Sequence, residues 1–169
     1  MKCVLRKWQL SDAKDLAATI NNENILNNLR DGIPFPYTEQ DGIDFITSLQ
    51  SKDENCTLEY AIIVDDRPVG SIGIFRRDNI YKKTCELGYY LAQEYWGKGI
   101  MTDAVRQICD YVFTHTDIIR IFAEVYADNI GSCRVLEKAG FTLEGIMKNN
   151  AIKNGKVLDM KLYALTREP

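Results

Sequence analysis

Tyr95-Trp96-Gly97-Lys98-Gly99-Ile100-Met101-Thr102 lies between a β-rich run, 84–91, and a segment in which Met101, Ala104, Val105, Ile108 and Val112 recur on one helical face. Two glycines at a strand-to-helix junction let the backbone turn tightly and approach a ligand closely. The first N–H groups of the helix lack intrahelical acceptors and point out of its N-terminus, where the dipole favours an anion. The arrangement describes a cradle for a phosphate or pyrophosphate, although a bare Gly-x-Gly also fits a simple turn. A dinucleotide fingerprint fits poorly, because Thr102 stands where its third glycine or alanine belongs. The P-loop pattern G-x-x-x-x-G-K-[ST] is absent from the chain.

Working outward, the chain alternates strand and helix signals. Residues 2–8 read as a strand, Ser11 offers an N-cap, and Ala13, Leu16, Ala17 and Ile20 mark a helix. The asparagine-rich stretch 21–28 reads as a solvated loop, and prolines 34 and 36 keep 33–37 extended. Thr38 with Asp41 forms a capping box before a helix carrying Ile43, Ile46 and Leu49. Runs 58–64 and 69–76 are strands joined by a turn at 65–68, and 84–91 is a third. After the helix at 100–114 come a strand at 118–126 and a helix at 132–139 ended by Gly140. A closing hairpin, 141–148 and 157–165, turns around Lys153-Asn154-Gly155-Lys156. The order β-α-α-β-β-β-α-β-α-β-β predicts an α/β fold around a mixed sheet.

Composition bounds the function. The chain has 169 residues, enough for one domain over 1–169. With 21 basic and 24 acidic side chains its net charge is −3, which argues against a dedicated nucleic-acid binder but leaves room for a small cationic substrate. The five cysteines (Cys3, Cys56, Cys85, Cys109, Cys133) form no C-x-x-C pair, and His115 is the sole histidine. Neither a disulfide framework nor a metal site is expected from them. No apolar run approaches the roughly 20 residues of a membrane span, and no signal-peptide pattern is visible. A cytoplasmic protein without a membrane partner is the expectation.

Beyond the glycine turn, Glu86-Leu87-Gly88-Tyr89-Tyr90-Leu91 precedes it, and Asn129-x-x-Ser132 and Lys138-Ala139-Gly140-Phe141 follow. Together these resemble the GNAT N-acetyltransferases, in particular the RimJ/RimL-like branch of ribosomal-protein acetyltransferases, to which polyamine acetyltransferases are also similar. The Phe35-Pro36-Tyr37 segment resembles that branch too. The resemblance spans nearly the whole chain and is specific for the family, not for the acceptor.

The resemblance implies a sheet of about seven strands flanked by about four helices, in which the strand ending at Leu91 and the strand ending near Tyr126 splay apart. It implies acetyl-CoA as co-substrate, without a metal. The pantetheine arm would pair with Tyr89, Tyr90 and Leu91 as an added strand does. The pyrophosphate would rest on the N–H groups of Trp96, Gly97, Lys98, Gly99, Ile100, Met101 and Thr102. Asn129 would contact the pantetheine and Arg134 a phosphate. Trp96 at the first motif position is common in this branch, whereas Met101 stands where the superfamily usually has glycine or alanine.

Transfer to a primary amine, by direct attack in a ternary complex, is the implied activity. The acceptor is a protein N-terminal α-amine or a small amine such as a polyamine. Its pocket would be lined by 30–37, Glu86 and the closing hairpin. Glu86 reads either as the general base or as a solvent-facing strand carboxylate. Many relatives carry a tyrosine as general acid where Leu136 stands here; the branch's alternative, Ser132, is present and reads either as that acid or as a helix cap. A RimL-like glutamate is replaced by Ala151, which favours an α-amine, while the acidic composition favours a polycation. His115 reads as a helix C-terminal cap and Cys133 as a buried, inert thiol. Since Tyr89 and Tyr90 alternate across a strand, at most one faces the gap. Leu136 also motivates a different class of function, a non-catalytic acyl-CoA-binding sensor. GNAT resemblance is compatible with a homodimer.

Overall fold

The computed structural model describes residues 2–168. Seven strands form one sheet: β1 (Val4–Lys7), β2 (Thr57–Val64), β3 (Arg67–Arg76), β4 (Thr84–Leu91), β5 (Arg120–Tyr126), β6 (Thr142–Lys153) and β7 (Lys156–Thr166). Their spatial order is β1-β2-β3-β4-β5-β7-β6. Every neighbouring pair is antiparallel except β4 and β5, which run parallel. Five helices accompany it: α1 (Ala13–Ile20), α2 (Glu23–Leu26), α3 (Glu39–Gln50), α4 (Ile100–His115) and α5 (Ile130–Lys138).

Two apolar layers sandwich the sheet. Ile100, Ala104, Val105, Ile108 and Val112 of α4 and Leu136 of α5 pack on Ile62, Ile72, Leu87, Ile121 and Tyr163. On the other face, Leu16 of α1 and Ile46 of α3 cover Ala61 and Ile63 together with Trp8. The period-2 alternation of β4 sends Leu87 to the first layer and Tyr90 to the second.

Local signals explain most boundaries. Thr38 and Asp41 close the expected capping box: the Asp41 N–H donates to Thr38 Oγ1 at 3.1 Å and the Thr38 N–H donates to the Asp41 carboxylate at 2.7 Å. Asn154 and Gly155 both take positive φ, +50° and +74°, as a two-residue hairpin turn requires. Gly140, at φ +99°, ends α5 as a left-handed residue, with the Phe141 N–H on the Leu136 carbonyl and its own N–H on the Glu137 carbonyl.

Several expectations are corrected. Ser11 caps nothing; the residue before the first short 3-10 turn is Gln9, whose N–H donates to the Asp12 carboxylate at 2.9 Å. The turn between β2 and β3 consists of Asp65 and Asp66 in positive φ, and Arg67 and Pro68 already belong to β3. Pro68 is tolerated there because the ladder is irregular beside it, between Ile62 and Ile63. α5 starts at Ile130, two residues early, because Asn129 and not Ser132 is its N-cap. The stretch 21–28 is no solvated loop: Asn22 caps the short helix α2 by accepting from the Asn24 N–H.

Candidate active site

β4 and β5 pair only at Thr84–Arg120, Cys85–Ile121 and Glu86–Phe122, and then part. Both strands continue, β4 to Leu91 and β5 to Tyr126, each still paired on its outer edge. The Ala92 N–H donates to the Val69 carbonyl at 2.7 Å, so even-numbered positions of β4 turn their backbone groups toward β3. Odd-numbered Tyr89 and Leu91, beyond the last pairing, therefore turn theirs into the gap. Trp96 closes the far end, its indole N–H donating to the Leu91 carbonyl at 2.7 Å. The Leu91 N–H stays directed into the gap.

The glycine turn sits at the mouth of this gap. Gly97 and Gly99 take φ of +73° and +79°, which L side chains rarely adopt, and Gly99 is the N-cap of α4. Among the described residues, the N–H groups of Gly97, Gly99, Ile100, Met101 and Thr102 have no intramolecular acceptor; the helix ladder begins with the Asp103 N–H on the Gly99 carbonyl. A Cβ built on either glycine meets nothing within 4 Å, so the space above the turn is open. A row of donors facing open space at a helix N-terminus suits a pyrophosphate. The side chains of Ile100 and Met101 point into the core, leaving only their backbone to the site. Lys98 lies over the Tyr95 ring, 5.2 Å from its centroid.

Two expected contacts are corrected. The Trp96 N–H donates to the Gln93 carbonyl at 3.1 Å, so the cradle starts at Gly97 and Trp96 acts through its indole. Tyr90 turns its backbone toward β3, opposite Ser71, and its ring packs with Trp8 and Ile46 on the α1–α3 face; it cannot serve a strand-like ligand in the gap.

The two sides of the gap carry different chemistry. On the α4–α5 side, the Tyr89 hydroxyl lies 2.7 Å from Ser132 Oγ. Burial pushes the Tyr89 phenol well above its ordinary range, so it is protonated at neutral pH. The Ser132 N–H donates to Asn129 Oδ1 at 3.1 Å, which makes Asn129 the cap and leaves its amide nitrogen as a donor. Ser132 itself is not a cap. Arg134 is exposed on α5, while Leu136 is fully buried in the core and reaches no site atom.

On the opposite side, Glu86 stands at the last paired position before the strands part. It is no solvent-facing carboxylate: only 15% of its side chain is exposed, and it is ion-paired with Arg30 and lies 3.9 Å from Arg77. Glu124, on the same face of β5, lies 3.8 Å from Arg30, and the Tyr126 hydroxyl donates to the Leu29 carbonyl at 3.3 Å. Lys153 of the closing hairpin reaches Asp31 at 2.7 Å, and Asn154 reaches Asn27 at 2.9 Å. Arg30 and Asp31 thus bridge Glu86 on one side and the closing hairpin on the other. The asparagines missed by the sequence reading fasten this segment: Asn22 and Asn24 both donate to Gln93 Oε1, and Asn21 exchanges two hydrogen bonds with the Tyr37 backbone.

The other candidates are structural. His115 Nδ1 sits 2.9 Å from the Tyr111 carbonyl in the last turn of α4, a C-terminal cap as expected, and its ring stacks on Tyr111. Cys133 is buried. Burial pushes Cys3 and Cys85 up to about 12, which makes inert thiols of them. Among the described residues no group of three or more His, Cys, Asp or Glu side chains could hold a metal, and no helix is long and apolar enough to cross a membrane.

A mixed sheet split after a short parallel pairing, with a donor-lined turn at its mouth, defines an acyl-CoA-dependent transferase. Residues 2–142 match the acetyltransferase (GNAT) domain family, and the chain belongs to that family. It is 39% identical over 132 residues to the "Probable N-acetyltransferase YjcK" of Bacillus subtilis, covering 76% of this chain and 73% of that one. The structure superposes on the microcin C7 self-immunity acetyltransferase MccE, in complex with acetyl-CoA and AMP, with a TM-score of 0.84 at 26% identity. That match covers 98% of this chain and 92% of the other. The ribosomal-protein-S5-alanine acetyltransferase of Vibrio fischeri matches with a TM-score of 0.85 at 25% identity, over 97% and 92% of the two chains. The protein is an acetyl-CoA-dependent N-acetyltransferase, similar to the ribosomal-protein acetyltransferases. The relatives are named as acetyltransferases, which favours catalysis over the acyl-CoA-binding sensor that Leu136 motivated.

Proposed function

We propose that the acceptor amine enters on the Glu86 side of the sheet and the departing thiolate is served from the Ser132 side. The observation that carries this reading is the position of Glu86 and of the Tyr89–Ser132 pair, on opposite faces where β4 and β5 part. Acetyl-CoA supplies the activated acetyl group. Its pantetheine arm is held by the gap-facing backbone of Tyr89 and Leu91 and by the Asn129 amide. Its phosphates are held by the N–H groups from Gly97 to Thr102, with Arg134 in reach of a phosphate.

Glu86 takes a proton from the acceptor's ammonium group, directly or through a water, and the neutral amine then attacks the thioester carbonyl. The Leu91 N–H faces the oxygen on which negative charge develops, and positioning in one gap supplies much of the acceleration. Ser132 relays a proton to the departing thiolate, taking one from water as it gives its own. Tyr89 orients the serine hydroxyl; neither hydroxyl is a net acid, because both are far weaker acids than a thiol of pKa about 8.5.

The acceptor is best read as a protein N-terminal α-amine, whose pKa near 8 leaves it partly neutral in the cell and less dependent on its base than an amine of pKa about 10. A small amine is the second class. We place the activity in the cytoplasm, in one GNAT domain over 1–169, with neither nucleic acid nor membrane as partner. Homodimerisation would cover Leu143, Ile146, Ile152 and Val157, apolar and exposed on the outer hairpin. Thiol release from acetyl-CoA across N-terminal peptides, polyamines and aminoglycosides tests the activity and ranks acceptors; release with none of them would refute it.

A further inference from the structure

We infer that Arg30 is a resident counter-ion seated where the acceptor's ammonium group belongs, and that it restricts the site to singly charged amines. The inference rests on the acceptor entering on the Glu86 side. Three carboxylates stand on that side; Asp31 is paired with Lys153, and Arg30 spans the other two, ion-paired with Glu86 and 3.8 Å from Glu124. The side chain of Arg30 is 67% exposed, whereas those of Glu86 and Glu124 are 15% and 30% exposed. The Arg30 guanidinium lies mostly in solvent and is readily rehydrated, so the cost of its leaving falls on the carboxylate it uncovers. A largely buried carboxylate is costly to leave without its cation. Arg77 does not replace it: it lies 3.9 Å from the other Glu86 oxygen and is also drawn to the Phe122 ring, 5.9 Å from its centroid.

Entry of an amine is therefore an exchange of cations. An ammonium group displaces Arg30 from Glu86, and the same event frees the carboxylate that must accept its proton. Arg30 retains Glu124, so a singly charged acceptor leaves Glu86 and Glu124 both paired. A diamine brings a second ammonium that has to compete with Arg30 for Glu124. Arg30 is thus a specificity-determining residue acting through the two glutamates, not a catalytic one.

The test compares n-butylamine with 1,4-diaminobutane on the wild-type chain, Arg30→Gln and Arg30→Lys. Calorimetry in saturating CoA gives amine affinities without turnover, and steady-state rates with acetyl-CoA give kcat/KM for each amine. In Arg30→Gln the preference for the diamine over the monoamine should rise about 5- to 10-fold, the change that one screened charge contact near water corresponds to. Arg30→Lys should restore the wild-type ratio. An unchanged ratio, or equal loss for both amines as a mere strut would produce, overturns the inference. So does an absence of amine binding to all three proteins. Amine binding without turnover in the wild type would instead refute these amines as acceptors, and the affinity ratio would still decide the role of Arg30.

Discussion

β5 has two edges with opposite fates. Toward β7 it is zipped along its whole length, from Arg120–Thr166 to Tyr126–Met160. Toward β4 it pairs from Arg120 to Phe122 and then lets go. The residues are comparable on both sides, so strand propensity does not distinguish the edges. The parting is imposed by what surrounds β4: Ala92 is held to β3, Trp96 holds the Leu91 carbonyl, and Tyr89 is drawn toward Ser132 of α5. The zipped edge carries stability. The open edge exposes backbone groups that a ligand must satisfy, which is where a strand-like cofactor arm gains its affinity.

The comparison breaks hardest at the fork. Glu86→Gln should lower turnover by about 100- to 10,000-fold at a pH below the acceptor's pKa. The rate should recover as pH rises, because the amine then loses its proton unaided. A pH–rate profile identical to wild type would make Glu86 a structural carboxylate.

Gly99→Val acts on the cofactor side of the same edge. The branched residue at a φ of +79° strains the turn and places methyl groups over the open donors. Acetyl-CoA affinity measured by calorimetry should fall at least about 10-fold in a variant with native circular dichroism, since lost donor contacts of about 1.4 kcal/mol already amount to that.

Ser132→Ala is expected to cost about 10-fold in kcat, at or below the low end of acid catalysis, with acetyl-CoA affinity unchanged. Because Asn129 provides the cap, the melting temperature should stay close to wild type. Full activity with a lowered melting temperature would return Ser132 to a structural role.

The smallest functional effect belongs to the zipped edge. Tyr163 is fully buried on β7 and its hydroxyl donates to Glu137 at 2.9 Å. Tyr163→Phe should cost about 1 kcal/mol of stability in urea unfolding and leave acetyl-CoA affinity alone. A loss of affinity there would show that the two edges are coupled.

Local chemistry made much of this legible. Gly97 and Gly99 announce a positive-φ turn, Thr38 and Asp41 a cap, Asn154-Gly155 a hairpin, and the apolar positions of α4 its buried face. Each depends on residues a few positions apart, so a linear reading finds it. Asn129-x-x-Ser132 shows where that reading ends: either residue can cap a helix, and the pattern does not say which is released for other work. Contact with Tyr89, distant in the chain, decided it.

By itself the sequence determined the order of elements apart from the short α2, the glycine turn at the start of α4 and the family motifs, all encoded in short-range backbone preference and periodicity. The tertiary structure alone decided that Glu86 and Ser132 lie on opposite faces of one gap, that the Trp96 indole holds the Leu91 carbonyl, and that Arg30 sits between Glu86 and Glu124. Those contacts join residues far apart in the chain, such as Arg30 and Glu86. The physical reason is that side-chain pairing across a sheet is set by register and by where two strands part, and neither quantity is written in any local window.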